Sequence, residues 1–535
     1  MIERRKRIVL YSPQLADESR GLPSGKDVLP LSILTVAGWP VADGYEVILI
    51  DGCLYSQEEA HRRVLEACEG AFVYGTTGIL GYQVADGFLC SQKVRAKFPD
   101  LKMIIGGWFA SAAPELQLET GLYDAVCIGQ GEITFREFVQ AADCGEPFDE
   151  IPGLALWRDG KMVKTEPRRI VGWDHLKNCP WDLIDFDRYR EEQLKQRSTR
   201  LTERLPRPKR VPAPEPYVGI AYYASFGCPE PCTFCCSPGM TNMRWKCMPA
   251  ERMLDDLEEL NDRWDFDVVR FHDANWGVME KRSRAFAEGL LNSKMRFEWF
   301  PFLQSFSILR YKPDTLDMMA ESGLYVAAVG AEAGTDEMMQ LIGKHTKGED
   351  NYYAALELDK RGVTSWMTYI IGYPGETVDS MLGSIDQARR IVGATKHAQP
   401  AVWPFHPIPG SKMYADALEM GFEPPTSLIG WGEFFEYHLA QTWKAGIPPE
   451  VVRQRQLFQH YASLSHGLAR GKVGWWEKRA RRRMASGDFT FARAEAKAFD
   501  LYHRFSRALR SDKQPQQVAW ESGDGLPATS GGSRS

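Results

Sequence analysis

Long apolar runs are missing from this sequence of 535 residues, which contains no stretch of about 18 apolar residues that would form a membrane-spanning helix. The basic N-terminus, MIERRKRIVLYSP, continues with too few apolar residues for a signal peptide. An excess of positive charge is also missing: the net charge is −6, whereas nucleic-acid binding requires a basic surface. We therefore expect a cytoplasmic protein that does not bind nucleic acid.

The eleven cysteines do not suggest a disulfide framework, because the cytoplasm is reducing and a cysteine cluster there is more typical of a metal or catalytic site. Four of them, Cys228, Cys232, Cys235 and Cys236, fall within nine residues in SFGCPEPCTFCCSPG. Three thiolates from one loop, at 228, 232 and 235, can hold a four-iron cluster and leave one iron open. Cys236 would then point away from the cluster as a small apolar residue.

A zinc site is the alternative for these cysteines. A closed zinc site uses four Cys or His ligands, commonly as two close pairs. Only Cys247 lies further downstream, and no CxxC or HxxxH pair follows it. Zinc would therefore need Cys247 or His272 as its fourth ligand.

The spacing CxxxCxxC, with the aromatic Phe234 directly before the last cysteine, resembles the signature of the radical S-adenosylmethionine (SAM) enzymes. The resemblance implies a [4Fe–4S] cluster on Cys228, Cys232 and Cys235, and SAM bound at the open iron with Phe234 beside its adenine. It also implies a one-electron donor, such as a flavodoxin or a ferredoxin. The fold it implies is a partial TIM barrel whose first strand precedes the cluster loop.

Six apolar segments alternate with helical patterns from residue 217 onward, which is the pattern of parallel strand–helix units. The strand candidates are 217–225, 266–273, 297–304, 324–332, 363–372 and 397–405. We therefore predict an α/β fold in which residues 217–414 form a partial (β/α)6 TIM barrel. Such barrels carry their chemistry at the carboxyl ends of the strands, where Asp273, Asn275, Gln304 and Glu332 fall.

The resemblance assigns SAM contacts to two of these strand ends. Glu332 and the GYPG loop, with Gly372, Pro374 and Gly375, are expected to hold the methionine and adenosine parts of SAM. Glycines there allow backbone groups to approach the ligand closely. The usual Glu-Ser-Gly is Glu-Ala-Gly at 332–334 in this sequence, so the contact expected from a serine hydroxyl cannot be made.

The N-terminal third contains five apolar runs that end in glycine, proline or polar residues, at 6–13, 45–52, 70–78, 101–108 and 124–132. This pattern predicts a doubly wound parallel sheet, of the flavodoxin-like or Rossmann type, over residues 1–145. No GxGxxG follows the first strand, so the binding of a dinucleotide is poorly supported.

A sheet of this kind directly before a radical barrel resembles the cobalamin-binding domain of the cobalamin-dependent radical SAM enzymes. The resemblance implies that cobalamin is held by the strand-end residues Thr76, Thr77, Gly106, Gly107, Gly129, Gly131 and Glu132. The DxHxxG motif that supplies an axial histidine in many cobalamin domains is missing from SPQLADESRGLPSGKD, so the cobalt is expected to lack a protein imidazole. The alternative is an empty domain that serves packing or dimerisation, because a fold alone does not imply a ligand.

The remaining segments have a simpler interpretation. Residues 146–216 form a connecting segment that ends in a proline-rich, charged linker, residues 415–510 a helical C-terminal region, and residues 511–535 a polar tail that we expect to be disordered. The basic stretch KRARRRM beside Trp475 and Trp476 indicates either peripheral membrane contact or a solvated helix face.

Three functions are compatible with the cofactor set of [4Fe–4S] cluster, SAM and cobalamin. The favoured one is C-methylation of an unactivated carbon in a small-molecule, lipid or natural-product substrate, which is the commoner outcome among cobalamin-dependent relatives. The second resembles the anaerobic porphyrin-ester cyclases, in which the substrate radical is oxidised and trapped by water or by ring closure. The third is a non-catalytic cobalamin sensor, against which the intact cysteine triad argues.

Overall fold

The computed structural model describes residues 6–17, 29–79, 81–195, 218–434, 447–465 and 474–509, without the side chains of 500 and 502–509. The linker expected around 200–217 and the disordered tail expected from 511 lie outside the described residues. The described residues form a mixed α/β fold, as the sequence predicts.

Seven strands form the N-terminal sheet, in the order β2-β1-β3-β4-β5-β6-β7. They are β1 (Arg7–Ser12), β2 (Glu46–Asp51), β3 (Ala71–Thr77), β4 (Lys102–Gly106), β5 (Ala125–Cys127), β6 (Leu154–Arg158) and β7 (Lys161–Lys164). Strands β1 to β5 are parallel, and their order is that of flavodoxin-like sheets. Strands β6 and β7 add an antiparallel hairpin that the apolar pattern does not reveal, so the sheet continues beyond residue 145.

Helices cover both faces of this sheet. The helices of the N-terminal part are α1 (Leu31–Ala42), α2 (Gln57–Ala67), α3 (Tyr82–Lys97), α4 (Trp108–Ala112), α5 (Pro114–Leu118), α6 (Glu132–Cys144) and α7 (Phe186–Lys195). One hydrophobic core lies between the sheet and α2 and α3, and a second lies between the sheet and α1 and α6. Helix α7 instead packs on the second half of the chain, where Phe186 stacks on Trp264 with 4.3 Å between ring centroids.

The second half of the chain contains two parallel sheets, in the orders β8-β11-β12 and β13-β14-β15-β16. Its strands are β8 (Gly219–Tyr222), β9 (Ser225–Gly227), β10 (Trp245–Cys247), β11 (Val268–Phe271), β12 (Glu298–Phe300), β13 (Phe302–Leu303), β14 (Val326–Glu332), β15 (Thr364–Ile371) and β16 (Gln399–Pro404). The third predicted strand is divided into β12 and β13 at Pro301, which has no N–H to donate to a ladder. A parallel bridge between Trp299 and Leu324 links the two sheets.

Helices alternate with these strands. They are α8 (Ser237–Thr241), α9 (Ala250–Trp264), α10 (Glu280–Asn292), α11 (Ser305–Arg310), α12 (Pro313–Glu321), α13 (Asp336–Leu341), α14 (Asp350–Asp359), α15 (Val378–Ala394) and α16 (Lys412–Glu419). Thr335, Thr377 and Ser411 each accept a hydrogen bond from a backbone N–H three residues further on. These caps start α13, α15 and α16 close to the ends of β14, β15 and β16, and so help to fix the strand-end loops.

The C-terminal region is helical, as predicted, with α17 (Leu428–Phe434), α18 (Pro449–Ser465), α19 (Gly474–Ser486) and α20 (Ala492–Leu509). Helix α17 packs closely on α3, because a Cβ at Gly432 would lie only 2.7 Å from the Cβ of Ala85. Beside this contact Trp431 is buried against Phe109, with 5.5 Å between ring centroids. Helix α17 therefore ties the C-terminal region back to the N-terminal sheet.

The basic stretch of α19 is partly neutralised within the fold. Glu495 of α20 lies 2.5 Å from Arg479 and 2.6 Å from Arg483. Trp476 packs on Phe499, whereas 64% of the surface of Trp475 is exposed. Among the helices that are described, none combines the length and the apolar character required to cross a membrane. Peripheral membrane contact stays a prediction.

Candidate functional site

A cavity of about 550 Å³ lies between the carboxyl edge of the N-terminal sheet and the barrel-like second half of the chain. The sheet contributes every residue that the sequence predicts for cobalamin: Thr76, Thr77, Gly106, Gly107, Gly129, Gly131 and Glu132. The second half contributes residues beside β8, β9, β11 and β13: Tyr223, Ser225, Phe226, Gly227, His272, Asp273, Ala274 and Phe302. The two halves of the chain thus share one binding space.

The part of the cavity between the sheet and helices α1 and α6 is an apolar slot. Leu10, Ile33, Ile104 and Phe135 line it. Gly75 lets Leu10 and Phe135 pack closely over β3, because a Cβ at that position would lie 2.8 Å from the side chain of Leu10 and 3.3 Å from that of Phe135. A narrow apolar slot of this kind suits a flat aromatic base.

Gly107 has a backbone conformation that only glycine adopts without strain. Its φ of 96° and ψ of 177° place it directly after β4, at the start of α4. A Cβ there would lie 2.6 Å from both the carbonyl oxygen of Gly78 and Oγ1 of Thr77. The cavity wall at this point therefore requires a residue without a side chain.

Two buried polar atoms on the N-terminal sheet's side of the cavity lack hydrogen-bond partners among the described residues. They are Oγ1 of Thr77 and Oε2 of Glu132, the first residue of α6. Burial raises the pKa of Glu132 to about 7, so near neutral pH its carboxyl group exchanges a proton readily. Both atoms are therefore available as hydrogen-bonding partners for a polar ligand at this wall.

The loop with the predicted cluster ligands follows β9 and leads into α8. It is held from two directions: the N–H of Thr233 donates to the Ile342 carbonyl at 2.9 Å, and the N–H of Met413 donates to the Thr233 carbonyl at 3.0 Å. Cys228 and Cys232 are buried, and Cys235 is partly buried. In the parts of the chain that are described, no three Cys, His, Asp or Glu side chains converge closely enough to hold a single metal ion. A four-iron cluster does not require such convergence, because its three thiolates bind different iron atoms.

Burial raises the pKa of the Cys228 and Cys232 thiols, which disfavours their thiolate forms. Nδ2 of Asn275 lies 3.9 Å from Sγ of Cys228, and the N–H of Ser237 lies 3.4 Å from Sγ of Cys235. Both donors would stabilise a thiolate. The neighbouring thiols of Cys235 and Cys236 interact, which raises the pKa of Cys235 and lowers that of Cys236. That Cys236 is not a cluster ligand stays a prediction.

The residues predicted to bind SAM gather around an aromatic cluster beside this loop. Phe234 packs on Tyr373, with 5.6 Å between ring centroids. The N–H of Gly372 donates to the carboxylate of Glu376 at 2.6 Å, so it is already engaged. Pro374 is buried and Gly375 is exposed. Burial raises the pKa of Glu376 to about 7.

Glu332 has a partner that the sequence analysis misses. Its carboxylate lies 3.3 Å from Nζ of Lys344, whose side chain is 1% exposed. Nζ of Lys344 also donates to the carbonyl of Gly330. Glu332 itself has a φ of 62°, which is unusual for a residue other than glycine. No local pattern in the sequence links residues 332 and 344, so this pair becomes visible only in three dimensions.

Comparison with known proteins supports the predicted family. Residues 222–388 match the model of the Radical SAM superfamily. The chain is 24% identical over 318 residues to an uncharacterized methyltransferase of Pyrococcus horikoshii, covering 59% of this chain and 63% of the relative. It is also 24% identical over 361 residues to the cytidylyl-2-hydroxyethylphosphonate methyltransferase of Streptomyces wedmorensis. This match covers 61% of this chain and 63% of that relative. A further relative is the anaerobic magnesium-protoporphyrin IX monomethyl ester cyclase of Rubrivivax gelatinosus, which is 24% identical over 370 residues. This match covers 67% of this chain and 62% of the cyclase. The match spans less than two thirds of each of these relatives.

Solved structures have a similar fold over nearly the whole chain. The cobalamin-dependent SAM radical enzyme OxsB with bound aqua-cobalamin superposes with a TM-score of 0.68 and 13% identity, covering 96% of this chain and 82% of OxsB. The radical SAM methyltransferase TsrM from Kitasatospora setae, with cobalamin and a [4Fe-4S] cluster, superposes with a TM-score of 0.63 and 14% identity. The superposition covers 92% of this chain and 100% of TsrM. The predicted resemblance to the cobalamin-binding radical SAM enzymes is therefore confirmed: the chain carries a radical SAM domain and has the fold of that group.

Proposed function

We propose that this chain, with its radical SAM domain, is a cobalamin-dependent enzyme that transfers a methyl group to an unactivated carbon of a small-molecule substrate. The observation that carries the proposal is the cavity of about 550 Å³ that both halves of the chain line. Its walls include the strand ends expected to hold cobalamin and also Ser225, Phe226 and Gly227, which directly precede the cluster loop. A methyl donor and a hydrogen-abstracting centre that open onto one cavity can act on the same carbon.

The domain organisation follows from this assignment. Residues 1–145 are the core of the cobalamin-binding domain, to which the hairpin of β6 and β7 adds. Residues 217–414 are the radical SAM barrel, a partial (β/α)6 TIM barrel. Residues 146–216 connect the two. In the described part of residues 415–510, helix α17 packs on α3 of the first domain, and helices α18 and α19 pack on α15 of the barrel. The parallel order of the strands in both halves supports this division.

The cavity fits cobalamin. The apolar slot beside Gly75 accepts the nucleotide base, and Gly107 lets the cofactor approach the strand ends closely. The unsatisfied oxygens of Thr77 and Glu132 provide polar partners for amide groups at the rim of the corrin ring. Because residues 12–30 contain no histidine, this loop gives the cobalt no axial imidazole.

The cluster loop fits a [4Fe–4S] cluster on Cys228, Cys232 and Cys235. When bound, the cluster and SAM supply hydrogen-abstracting radical chemistry, and cobalamin supplies methyl transfer. The chain stabilises the thiolates through the donors from Asn275 and Ser237. A one-electron donor such as a flavodoxin or a ferredoxin is required as partner.

The chain also orients and encloses SAM. Phe234 and Tyr373 form an aromatic wall for the adenine. Pro374 and Gly375 directly follow Tyr373 in the loop. Burial raises the pKa of Tyr373, and the charge of Glu332 is close enough to contribute to this rise. Ile447 of the C-terminal region covers the glycine turn after β15, because a Cβ at Gly372 would lie 2.6 Å from it. This cover limits the access of water to the loop, which protects reactive chemistry.

A second candidate function is an oxidative cyclisation. The cyclase of Rubrivivax gelatinosus matches this chain at the same 24% identity as the methyltransferase of Streptomyces wedmorensis, so sequence similarity favours neither. The cofactor-binding residues serve both reactions equally.

The test is product analysis with the anaerobically reconstituted full chain, SAM labelled in its methyl group, and a panel of candidate small molecules. The methyltransferase proposal predicts that S-adenosylhomocysteine and 5′-deoxyadenosine appear in step with a labelled product. Cyclisation predicts 5′-deoxyadenosine in step with product, almost no S-adenosylhomocysteine, and an unlabelled product. The sensor alternative predicts that the wild-type protein retains cobalamin but forms neither S-adenosylhomocysteine nor 5′-deoxyadenosine. Its products would then be the same as those of the Cys235→Ala variant.

A further inference from the structure

The three most exposed large hydrophobic side chains among the described residues lie close together in the chain. They are Phe491, which is 80% exposed, Leu501, 66% exposed, and Trp475, 64% exposed. Each belongs to α19, to α20 or to the turn between these two helices. Single exposed hydrophobic residues are common, but three large ones on one helical pair indicate a contact surface.

The same segment is strongly basic in an acidic chain. Residues 474–509 contain nine Lys or Arg and four Asp or Glu, whereas the whole chain has a net charge of −6. Part of this positive charge is neutralised within the fold. Arg479 and Arg483 pair with Glu495, which holds α20 against α19, and Arg481 pairs with Glu477. Four further cations are exposed and have no ion-pair partner in the described part of the chain: Lys478, Arg482, Arg493 and Lys497.

Helix α19 presents two of these cations beside an aromatic side chain. Trp475, Lys478 and Arg482 follow the spacing i, i+3, i+7, which places them on one face of the helix. Ala480 and Met484 lie on the opposite side and are fully buried. The helix therefore has one face packed on the protein and one face that is both basic and aromatic.

The turn and helix α20 continue this pattern. Arg493, Lys497 and Leu501 follow the spacing i, i+4, i+8 and are all exposed. Phe491, directly before α20, has a φ of 60°, which is unusual for a residue other than glycine. The chain thus places its most exposed aromatic ring among unpaired cations.

The one-electron donor is a second acidic partner that a basic surface could bind, but the position of the turn does not favour it. A Cβ at Gly487, four residues before Phe491, would lie 3.1 Å from Cζ of Arg389 on α15. Arg389 lies eleven residues after Val378, the first residue of α15, which is roughly 16 Å along a helix. Since α15 begins directly after the GYPG loop, this turn lies toward the end of α15 that is remote from the SAM-binding residues, whereas a donor must approach the cluster.

We propose that this surface docks the enzyme on an anionic phospholipid bilayer. The surface, which we call the basic aromatic face, consists of Trp475, Lys478, Arg482, Phe491, Arg493, Lys497 and Leu501. None of these residues lines the cavity, so the inference does not depend on the proposed function.

The composition of the basic aromatic face matches the chemistry of a bilayer surface. Lysine and arginine are attracted to anionic headgroups, while aromatic and aliphatic side chains enter the boundary between headgroups and acyl chains. Tryptophan suits this boundary because its ring is apolar and its N–H is polar. The two contributions add, so we expect reversible binding that depends both on anionic lipid and on the exposed rings.

The experiment measures co-sedimentation of the full chain with two kinds of vesicle, after anaerobic reconstitution with iron, sulfide and cobalamin. One kind is pure phosphatidylcholine, and the other is two parts phosphatidylcholine to one part phosphatidylglycerol. We expect the anionic vesicles to bind about tenfold to hundredfold more tightly at low ionic strength, with a smaller difference at physiological ionic strength.

Variants assign the binding to the basic aromatic face. Lys478→Gln with Arg482→Gln should weaken binding to anionic vesicles by about fivefold for each charge removed. Phe491→Ala and Trp475→Ala should each weaken binding by about tenfold. All four residues are exposed or adjoin solvent, so folding and cofactor content should be unchanged.

Matched controls come from other surfaces of the chain. Lys161→Gln with Lys164→Gln removes two exposed lysines of β7, and Tyr353→Ala removes a ring of α14 that is 53% exposed. Neither change should alter vesicle binding.

Equal affinity for the two kinds of vesicle, binding to neither, or unchanged affinity in Phe491→Ala and Trp475→Ala overturns the proposal. Two other occupants of the face are tested with the same variants. A wild-type dimer in light scattering that Phe491→Ala dissociates would assign the face to a second copy of the chain. Slower cluster reduction by a reduced flavodoxin in the variants, with vesicle binding unchanged, would assign it to the electron donor. Either result also overturns the proposal.

Discussion

Replacement of Gly107 by alanine tests the assignment of the cavity most directly. With φ of 96° and ψ of 177°, Gly107 occupies a backbone region that is essentially restricted to glycine, and an alanine there is strained by roughly 1–3 kcal/mol. The new Cβ would also lie 2.6 Å from the carbonyl oxygen of Gly78 and from Oγ1 of Thr77, closer than such atoms pack. Relief of that overlap adds about 1–3 kcal/mol, as for other overpacked sites.

The expected loss of stability is therefore on the order of 2–6 kcal/mol. Because Thr77 and Gly78 must move, the cavity wall changes shape, and we expect Gly107→Ala to lose cobalamin even where the protein stays folded. The assay combines urea unfolding with the absorbance spectrum of the protein after anaerobic reconstitution and gel filtration. Retained cobalamin is then compared at equal concentrations of folded protein.

Gly121→Ala is the matched control. Gly121 also has a positive φ, 68°, but a Cβ there would meet no atom within 4 Å. Its cost is the left-handed conformation alone, about 1–2 kcal/mol, with no effect on cobalamin. If Gly107→Ala retained cobalamin and unfolded like the wild-type protein, the reasoning that this wall contacts the cofactor would be refuted.

Three further predictions follow from the other groups of the site. Cys235→Ala should abolish cluster assembly and 5′-deoxyadenosine formation while Cys236→Ala keeps most of its iron; normal iron and sulfide in Cys235→Ala would contradict the ligand assignment. The stability of the apoprotein should fall as the pH rises from about 4.5 to about 7, because burial raises the pKa of Glu132 from 4.5 to about 7 and the folded state then binds the extra proton. Glu132→Gln should remove up to about 3 kcal/mol of that fall in urea unfolding, and an unchanged pH profile would show that Glu132 titrates normally. For the buried pair, Glu332→Gln or Lys344→Met alone should destabilise by roughly 3–5 kcal/mol and the double variant by less; additive losses in a double-mutant cycle would exclude a coupled pair.

The strand-end residues predicted from the sequence lie around one cavity, as the geometry of a parallel sheet requires. Thr76, Gly106 and Gly131 lie far apart in the chain, but each follows or ends a parallel strand, and the carboxyl ends of such strands share one edge of the sheet. The cluster cysteines are recognisable because all three lie in one loop, so their spacing is a local property. Local patterns and the geometry of parallel sheets were therefore sufficient for these parts.

Other features depend on contacts that no local pattern encodes. The hairpin of β6 and β7 extends the sheet because Val126 of β5 pairs with Ala155 of β6. Strands β6 and β7 are short and partly polar, so their sequences do not indicate this pairing. Lys344 lies in the loop after α13 and pairs with Glu332 at the end of β14, a contact between residues twelve positions apart that no periodic pattern in the sequence indicates.

The contact of α17 with α3 also affects how the chain folds during its synthesis. The first domain leaves the ribosome early, but the surface around Ala85 and Phe109 is covered only when Trp431 and Gly432 have been synthesised, more than three hundred residues later. Until then, an apolar patch of the nascent chain is exposed to solvent and to chaperones. We therefore expect truncation before residue 428 to yield a protein that aggregates although the seven-stranded sheet and the two parallel sheets of the second half are present.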